Sequence, residues 1–233
     1  MAKMAIAHAV AFATLFAGAV AANAPIVVSA TILFPQPASV TLGADAVALT
    51  TIAFAGCDGG SPIVRRACAR YAALKFAWPL PDGAAGNAST YAVSVVVGNA
   101  SEVLQLSTLD ERYTLTLTPD GGAITSPSVW GCLRALETLS QLVVHDPLSR
   151  SYGIPYAPVH VKDHPRKPWR RLMLDTSRRF YPLPYLLHTL DAMAQNKLNV
   201  FHWHATDAIS APLVSTRYPN LAAFGAFNEY ATY

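Results

Sequence analysis

Residues 169–218 read WRRLMLDTSRRFYPLPYLLHTLDAMAQNKLNVFHWHATDAISAPLVSTRY, and here charged and aromatic residues collect in an ordered pattern. Leu172, Met173 and Leu174 form a short apolar run that ends in Asp175-Thr176-Ser177-Arg178. Beyond Pro182 and Pro184, apolar residues at Leu183, Leu186, Leu187, Leu190, Met193 and Ala194 recur at the spacing of one helix face. A second short run over 198–203 then leads to His204 and Asp207. Strand, helix and strand in this order predict a βαβ unit with polar groups at its carboxyl edge, where such units carry their chemistry.

Upstream, Phe34-Pro35-Gln36-Pro37 is an extended lead-in, and residues 46–54 alternate as a strand. Residues 63–74 read as helical, and a Gly/Ala/Asn-rich loop over 82–89 leads to the β-branched run 91–97, a central strand. Residues 113–118 alternate strictly, so one face is buried and the other wet. Pro119-Asp120-Gly121-Gly122 is a turn that predicts a hairpin with a strand starting at Ala123. Ser126-Pro127 reads as N-cap and first residue of a helix to about Val144, with Trp130, Leu133, Leu136, Leu139 and Val143 facing a sheet. These elements make a small α+β domain. Its polar residues, Glu102, Asp110 and Glu111 among them, fall in loops and strand ends without a catalytic pattern, which gives the domain a supporting role.

The 233 residues are 52% hydrophobic, enough for a sizeable core in one or two domains. Charged residues make up 13%, about half the usual share. Lys3 followed by the apolar run 5–22 and small residues at Ala19, Ala21, Ala22 and Ala24 describe a secretory signal peptide, cleaved after Ala21 or Ala24. An uncleaved membrane anchor is the competing reading, since about 18 apolar residues just span a bilayer. Net charge is +3, and the basic run His164-Pro-Arg-Lys-Pro-Trp-Arg-Arg171 is too local for nucleic acid, so it reads as a solvated connector between two domains. Of three cysteines, Cys132 falls in an apolar helical pattern, and Cys57 with Cys68 is the expected disulfide of an oxidising compartment. No CxxC pairing points to zinc or thioredoxin-like chemistry. Asn87-Ala-Ser and Asn99-Ala-Ser are glycosylation sequons consistent with secretion.

Asp175-Thr-Ser-Arg178, Leu190-Asp-Ala-Met-Ala194, Asn196-Lys-Leu-Asn-Val200, His202-Trp-His204 and Asp207 together resemble the β-N-acetylhexosaminidases of glycoside hydrolase family 20. Tyr113-Thr-Leu115 and the segment starting Trp130-Gly-Cys-Leu-Arg134 resemble the α+β domain that precedes the catalytic barrel in that family. The resemblance covers roughly residues 90–233, with a weaker echo at Phe34-Pro-Gln-Pro37. It implies a signal peptide at 1–24, an amino-terminal α+β domain at 25–162, and the first βαβ portion of an incomplete (β/α)8 TIM barrel at 163–233. It further implies removal of terminal N-acetylhexosamine from glycans in the secretory pathway, extracellular space or a lysosome- or vacuole-like compartment. No cofactor is implied, and a homodimer is expected if the full-length barrel exists.

Within that resemblance Arg178 binds hydroxyls of the terminal sugar, its planar donors suiting such a task, and Asp207 lines the site. A salt bridge from Arg178 to Asp175 or another barrel carboxylate is the alternative. His202 and His204 point the same way on a strand, but no third ligand is identifiable and no metal is expected. Trp169 and Trp203 are core residues or stack on sugar rings. The family reacts by substrate-assisted retention: the 2-acetamido oxygen attacks the anomeric carbon, an Asp orients it, and the adjacent Glu protonates the leaving oxygen. The chain holds no Asp-Glu dipeptide beyond Leu174, and Asp110-Glu111 belongs to the α+β domain, so this chain alone is expected to be inactive. Arg171, Arg179, Ala208 and Ala211 also depart from the family pattern. A non-catalytic glycan-binding or protein-interaction relative is the alternative.

Overall fold

A computed structural model describes residues 33–58, 60–74, 89–146, 151–226 and 232–233. The signal segment, the Asn87 sequon and most of the loop at 82–89 lie outside them.

Strand β1 (Ser39–Ala55) begins earlier than alternation suggested, because its two halves serve different partners. The first half pairs antiparallel with β6 (Ser151–Asp163), from Ser39↔Lys162 to Leu49↔Tyr152; the second runs parallel to β2 (Ser89–Asn99). Parallel to β2 lies β4 (Gly121–Ser128), which forms the expected hairpin with β3 (Tyr113–Thr118), and β3 returns to β6. The short β5 (Val144–Asp146) covers the remaining edge of β6. Pro155 and Pro158 hide β6 from a sequence reading, since proline withholds a ladder donor. It nevertheless buries Tyr152, Ile154, Ala157, Val159 and Val161.

Helices α1 (Pro62–Leu74) and α2 (Val129–Leu142) cover the sheet. The expected cap at Ser126 is corrected: Ser126 stays in β4 opposite Val97, and Ser128 caps α2 by accepting the Gly131 N–H at 3.2 Å. That shift turns the buried face to Val129, Cys132, Leu136 and Leu139, with Trp130 half-buried. Each large apolar side chain removed from water here contributes about 1.5–3 kcal/mol. Cys57, just past β1, is disulfide-bonded to Cys68 in α1. Cys132 is a buried free thiol, pushed up to about 12 by its burial.

The predicted βαβ unit is present as β7 (Arg171–Asp175), α3 (Leu183–Gln195) and β8 (Val200–His204), with β7 and β8 parallel. A short helix, α4 (Asn220–Gly225), follows. On α3 only Leu186 and Met193 of the expected apolar face are buried, while Leu183, Leu187 and Leu190 stay 59%, 54% and 42% exposed.

Two polar clusters tie this unit to the six-stranded sheet at the amino ends of β7 and β8. Glu111, 2% exposed, accepts Arg134 Nε at 2.7 Å and Arg170 Nη2 at 2.8 Å through a single oxygen. Lys197 Nζ donates to Tyr113 Oη at 2.9 Å and to Asp163 Oδ2 at 3.1 Å. Burial pushes the Lys197 ammonium down more than Asp163 raises it. The left-handed turn at Lys197, φ 55°, presents its carbonyl to Arg170 Nε at 2.9 Å, and Arg170 N–H donates to Asn199 Oδ1 at 2.9 Å. The connector is therefore only partly solvated: Arg170 is drawn into a buried ion pair while Arg166 and Lys167 remain exposed.

Candidate functional site

Beyond the carboxyl ends of β7 and β8, two loops are built alike. Asp175 closes β7, and its Oδ1 accepts the Ser177 and Arg178 amides at 3.0 and 3.1 Å. Asp207 stands three residues past β8, and its Oδ1 accepts the Ile209 and Ser210 amides at 2.7 and 3.3 Å. Each aspartate thus folds its own loop, as short acceptor side chains do next to free backbone donors. The loops are then sewn together: Thr176 N–H donates to the His204 carbonyl at 3.0 Å, and Ser177 Oγ to the Ser210 carbonyl at 2.8 Å. Trp203 Nε1 donates to Thr176 Oγ1 at 2.7 Å and its ring meets Tyr233 edge-on, so this tryptophan is anchored by both its polar handle and its ring.

Arg178 and Asp207 meet in this frame. Neither ends its strand; both lie three residues beyond, in the loops. Arg178 Nε donates to Asp207 Oδ2 at 3.1 Å and lies 3.6 Å from Asp175 Oδ2. Its side chain is 66% exposed, and among the described residues its guanidinium uses only Nε, which leaves the planar pair of Nη groups for another acceptor. The Ile209 amide first, and Arg178 after it, hold the Asp207 carboxyl well below the usual carboxylate range. Asp207 is consequently a fixed anion that orients Arg178, and it carries no proton to give away.

The sequence reading paired His202 with His204. Both lie on β8, two residues apart, and each has its own partner: His202 Nδ1 lies 3.1 Å from Arg171 Nη1, while His204 Nε2 comes within 3.7 Å of Asp207 Oδ2. Asp175, His204 and Asp207 place their ligand atoms within 4.8 Å of one another, a grouping no spacing along the chain revealed. The Arg178 guanidinium already brings its positive charge against both carboxylates, so the grouping has the electrostatics of an arginine clamp. Trp169, 55% exposed, lies on the connector and outside this arrangement.

Residues 168–232 match the glycosyl hydrolase family 20 catalytic domain, and residues 33–142 match the beta-acetyl hexosaminidase like domain. The chain is 39% identical over 178 residues to beta-hexosaminidase subunit alpha of Rattus norvegicus, covering 73% of this chain and 33% of that protein. Against beta-hexosaminidase 1 of Arabidopsis thaliana it is 35% identical over 220 residues, covering 86% and 40%. The X-ray structure of Flavobacterium johnsoniae chitobiase superposes with a TM-score of 0.62 at 27% identity, covering 87% of this chain and 31% of that one. The chain thus spans between about a third and two fifths of the length of these relatives. With residues 33–142 and 168–232 matched by the two domain models and the curated relatives aligned over most of the chain, the chain belongs, over these residues, to the β-N-acetylhexosaminidases of glycosyl hydrolase family 20.

Proposed function

We propose that this chain is the amino-terminal part of a β-N-acetylhexosaminidase that removes terminal N-acetylhexosamine from glycans by substrate-assisted retention. Residues 1–24 are the signal peptide, 25–162 the α+β domain and 163–233 the opening of a (β/α)8 barrel. The observation that carries the reading is Arg178, held by Asp207 at the carboxyl ends of two parallel strands, its Nη groups without a partner among the described residues. In this role Arg178 donates to ring hydroxyls of the terminal sugar, and Asp207 keeps the guanidinium plane fixed. The exposed leucines of α3 are the outer face on which neighbouring barrel helices would pack. A homodimer of the complete barrel belongs to this reading, and relatives named as subunits support assembly of some kind.

The acid/base step needs an Asp-Glu pair on a later strand, and this chain carries none beyond Leu174. Purified chain incubated with a chromogenic N-acetylglucosaminide should release no chromophore, and release above a buffer blank would overturn that expectation. Ala208, Ala211 and the Arg171–His202 contact favour a second reading, a non-catalytic glycan-binding relative. Transcript sequence past Tyr233 separates the two, because only an enzyme requires the Asp-Glu pair.

The disulfide and an exposed sequon support passage through the secretory pathway. Asn99 ends β2 at the surface and Oδ1 accepts the Ser101 amide at 2.9 Å. Chain expressed in eukaryotic secretory cells should lose mass on treatment with an N-glycosidase, and Asn99→Gln should remove the glycan at this position. An unchanged mass at the Asn99 peptide would rule it out.

A further inference from the structure

A cavity of about 770 Å³ opens at the amino ends of β7 and β8, between the connector, α2 and the turn at Lys197. It lies at the strand ends opposite to Arg178 and Asp207. Five cationic side chains line it against two carboxylates, Glu111 and Asp163. Both carboxylates are already engaged. Glu111 takes the two guanidiniums described above; Asp163 Oδ2 takes Tyr113 at 2.8 Å and Lys197 at 3.1 Å, and its Oδ1 takes the Ala38 and His164 amides at 3.1 and 2.8 Å. Among the described residues the surplus charge therefore finds no further carboxylate within the wall. Among the described residues, the side chains of Arg166 and Lys167 make no hydrogen bond or ion pair, and Arg134 engages only its Nε. Trp169, more than half exposed, borders the same space.

We infer that this cavity binds a phosphate or sulfate ester of a small organic molecule. A tetrahedral oxyanion supplies what the wall lacks, several acceptor oxygens at one point, and guanidinium and ammonium groups are its natural donors. The cavity is far larger than an inorganic ion, and the Trp169 ring offers an apolar face to a carbon skeleton attached to the anion. This assignment does not depend on the glycosidase reading, because it uses the opposite ends of the strands.

Calorimetric titration of the full chain with N-acetylglucosamine 6-phosphate, N-acetylglucosamine 6-sulfate, neutral N-acetylglucosamine, inorganic phosphate and inorganic sulfate tests it. Ionic strength is held constant with chloride, so that screening is the same in every arm. Saturable binding of the esters beyond that of neutral N-acetylglucosamine is expected, with each of Arg166→Gln and Lys167→Gln weakening that added binding about tenfold. Trp169→Ala should weaken the esters and leave the inorganic ions unchanged. Arg166 and Lys167 are exposed, so equal melting temperatures of the variants without anion establish that they are folded. Absence of saturable heat, unaltered affinity in the Arg166→Gln/Lys167→Gln double variant, or full competition by chloride would overturn the site. Inorganic ions binding as tightly as the esters would overturn the assignment to an organic ester.

Discussion

Glu111→Ala is expected to lower the stability of the chain by about 3–5 kcal/mol, the cost of stripping one side of a buried ion pair. The carboxylate is the shared acceptor of Arg134 on α2 and Arg170 at the foot of β7, both with side chains less than a fifth exposed. Its removal leaves two guanidiniums facing each other with nothing between them. The neighbouring Asp110 is the internal control. Its partner Arg112 has a side chain 70% exposed, and such surface pairs contribute about 0–1 kcal/mol, so Asp110→Ala should cost little. Urea titrations followed by circular dichroism compare the two. A midpoint shift in Glu111→Ala no larger than that in Asp110→Ala would show that the junction contributes nothing to stability.

The second large effect concerns sugar binding. Charge-assisted hydrogen bonds contribute about 1.5–3 kcal/mol each, so Arg178→Ala should weaken N-acetylglucosamine binding about ten- to a hundredfold. Asp207→Asn is the sharper companion. Its remaining amide oxygen still accepts the Ile209 and Ser210 amides and keeps the loop, while the charge that orients Arg178 is gone. Affinity measured by ligand-observed NMR should fall in both variants, with circular dichroism unchanged. Wild-type affinity in Arg178→Ala would remove Arg178 from the proposed site. Loss of binding in Asp207→Asn only together with loss of folding would leave the orienting role without support.

Much of this arrangement was legible along the chain. The strict alternation of residues 113–118 buries Tyr113, Leu115 and Leu117, and the 3.6-residue spacing after Pro182 places α3. The resemblance singled out Arg178 and Asp207, each a short polar segment past an apolar run, and the two side chains meet at the ends of β7 and β8. Local rules misplaced the α2 cap by two residues, since a serine followed by proline suits a cap as well as a strand end, and only the Val97 pairing decides. They also missed β6, whose prolines mask a strand that its neighbours on both sides complete.

The sequence by itself determined the elements whose periodicity repeats within a few residues: the βαβ unit, the β3–β4 hairpin, the helices and the polar loops after β7 and β8. Tertiary structure alone decided which polar groups meet. Glu111 reaches Arg170 across 59 residues and Lys197 reaches Tyr113 across 84, so neither pairing leaves a trace in local spacing. The same holds for Asp175, His204 and Asp207, which converge because two parallel strands stop at the same edge. A side chain's periodicity is set by its own backbone, but its charge partner is set by where the chain returns.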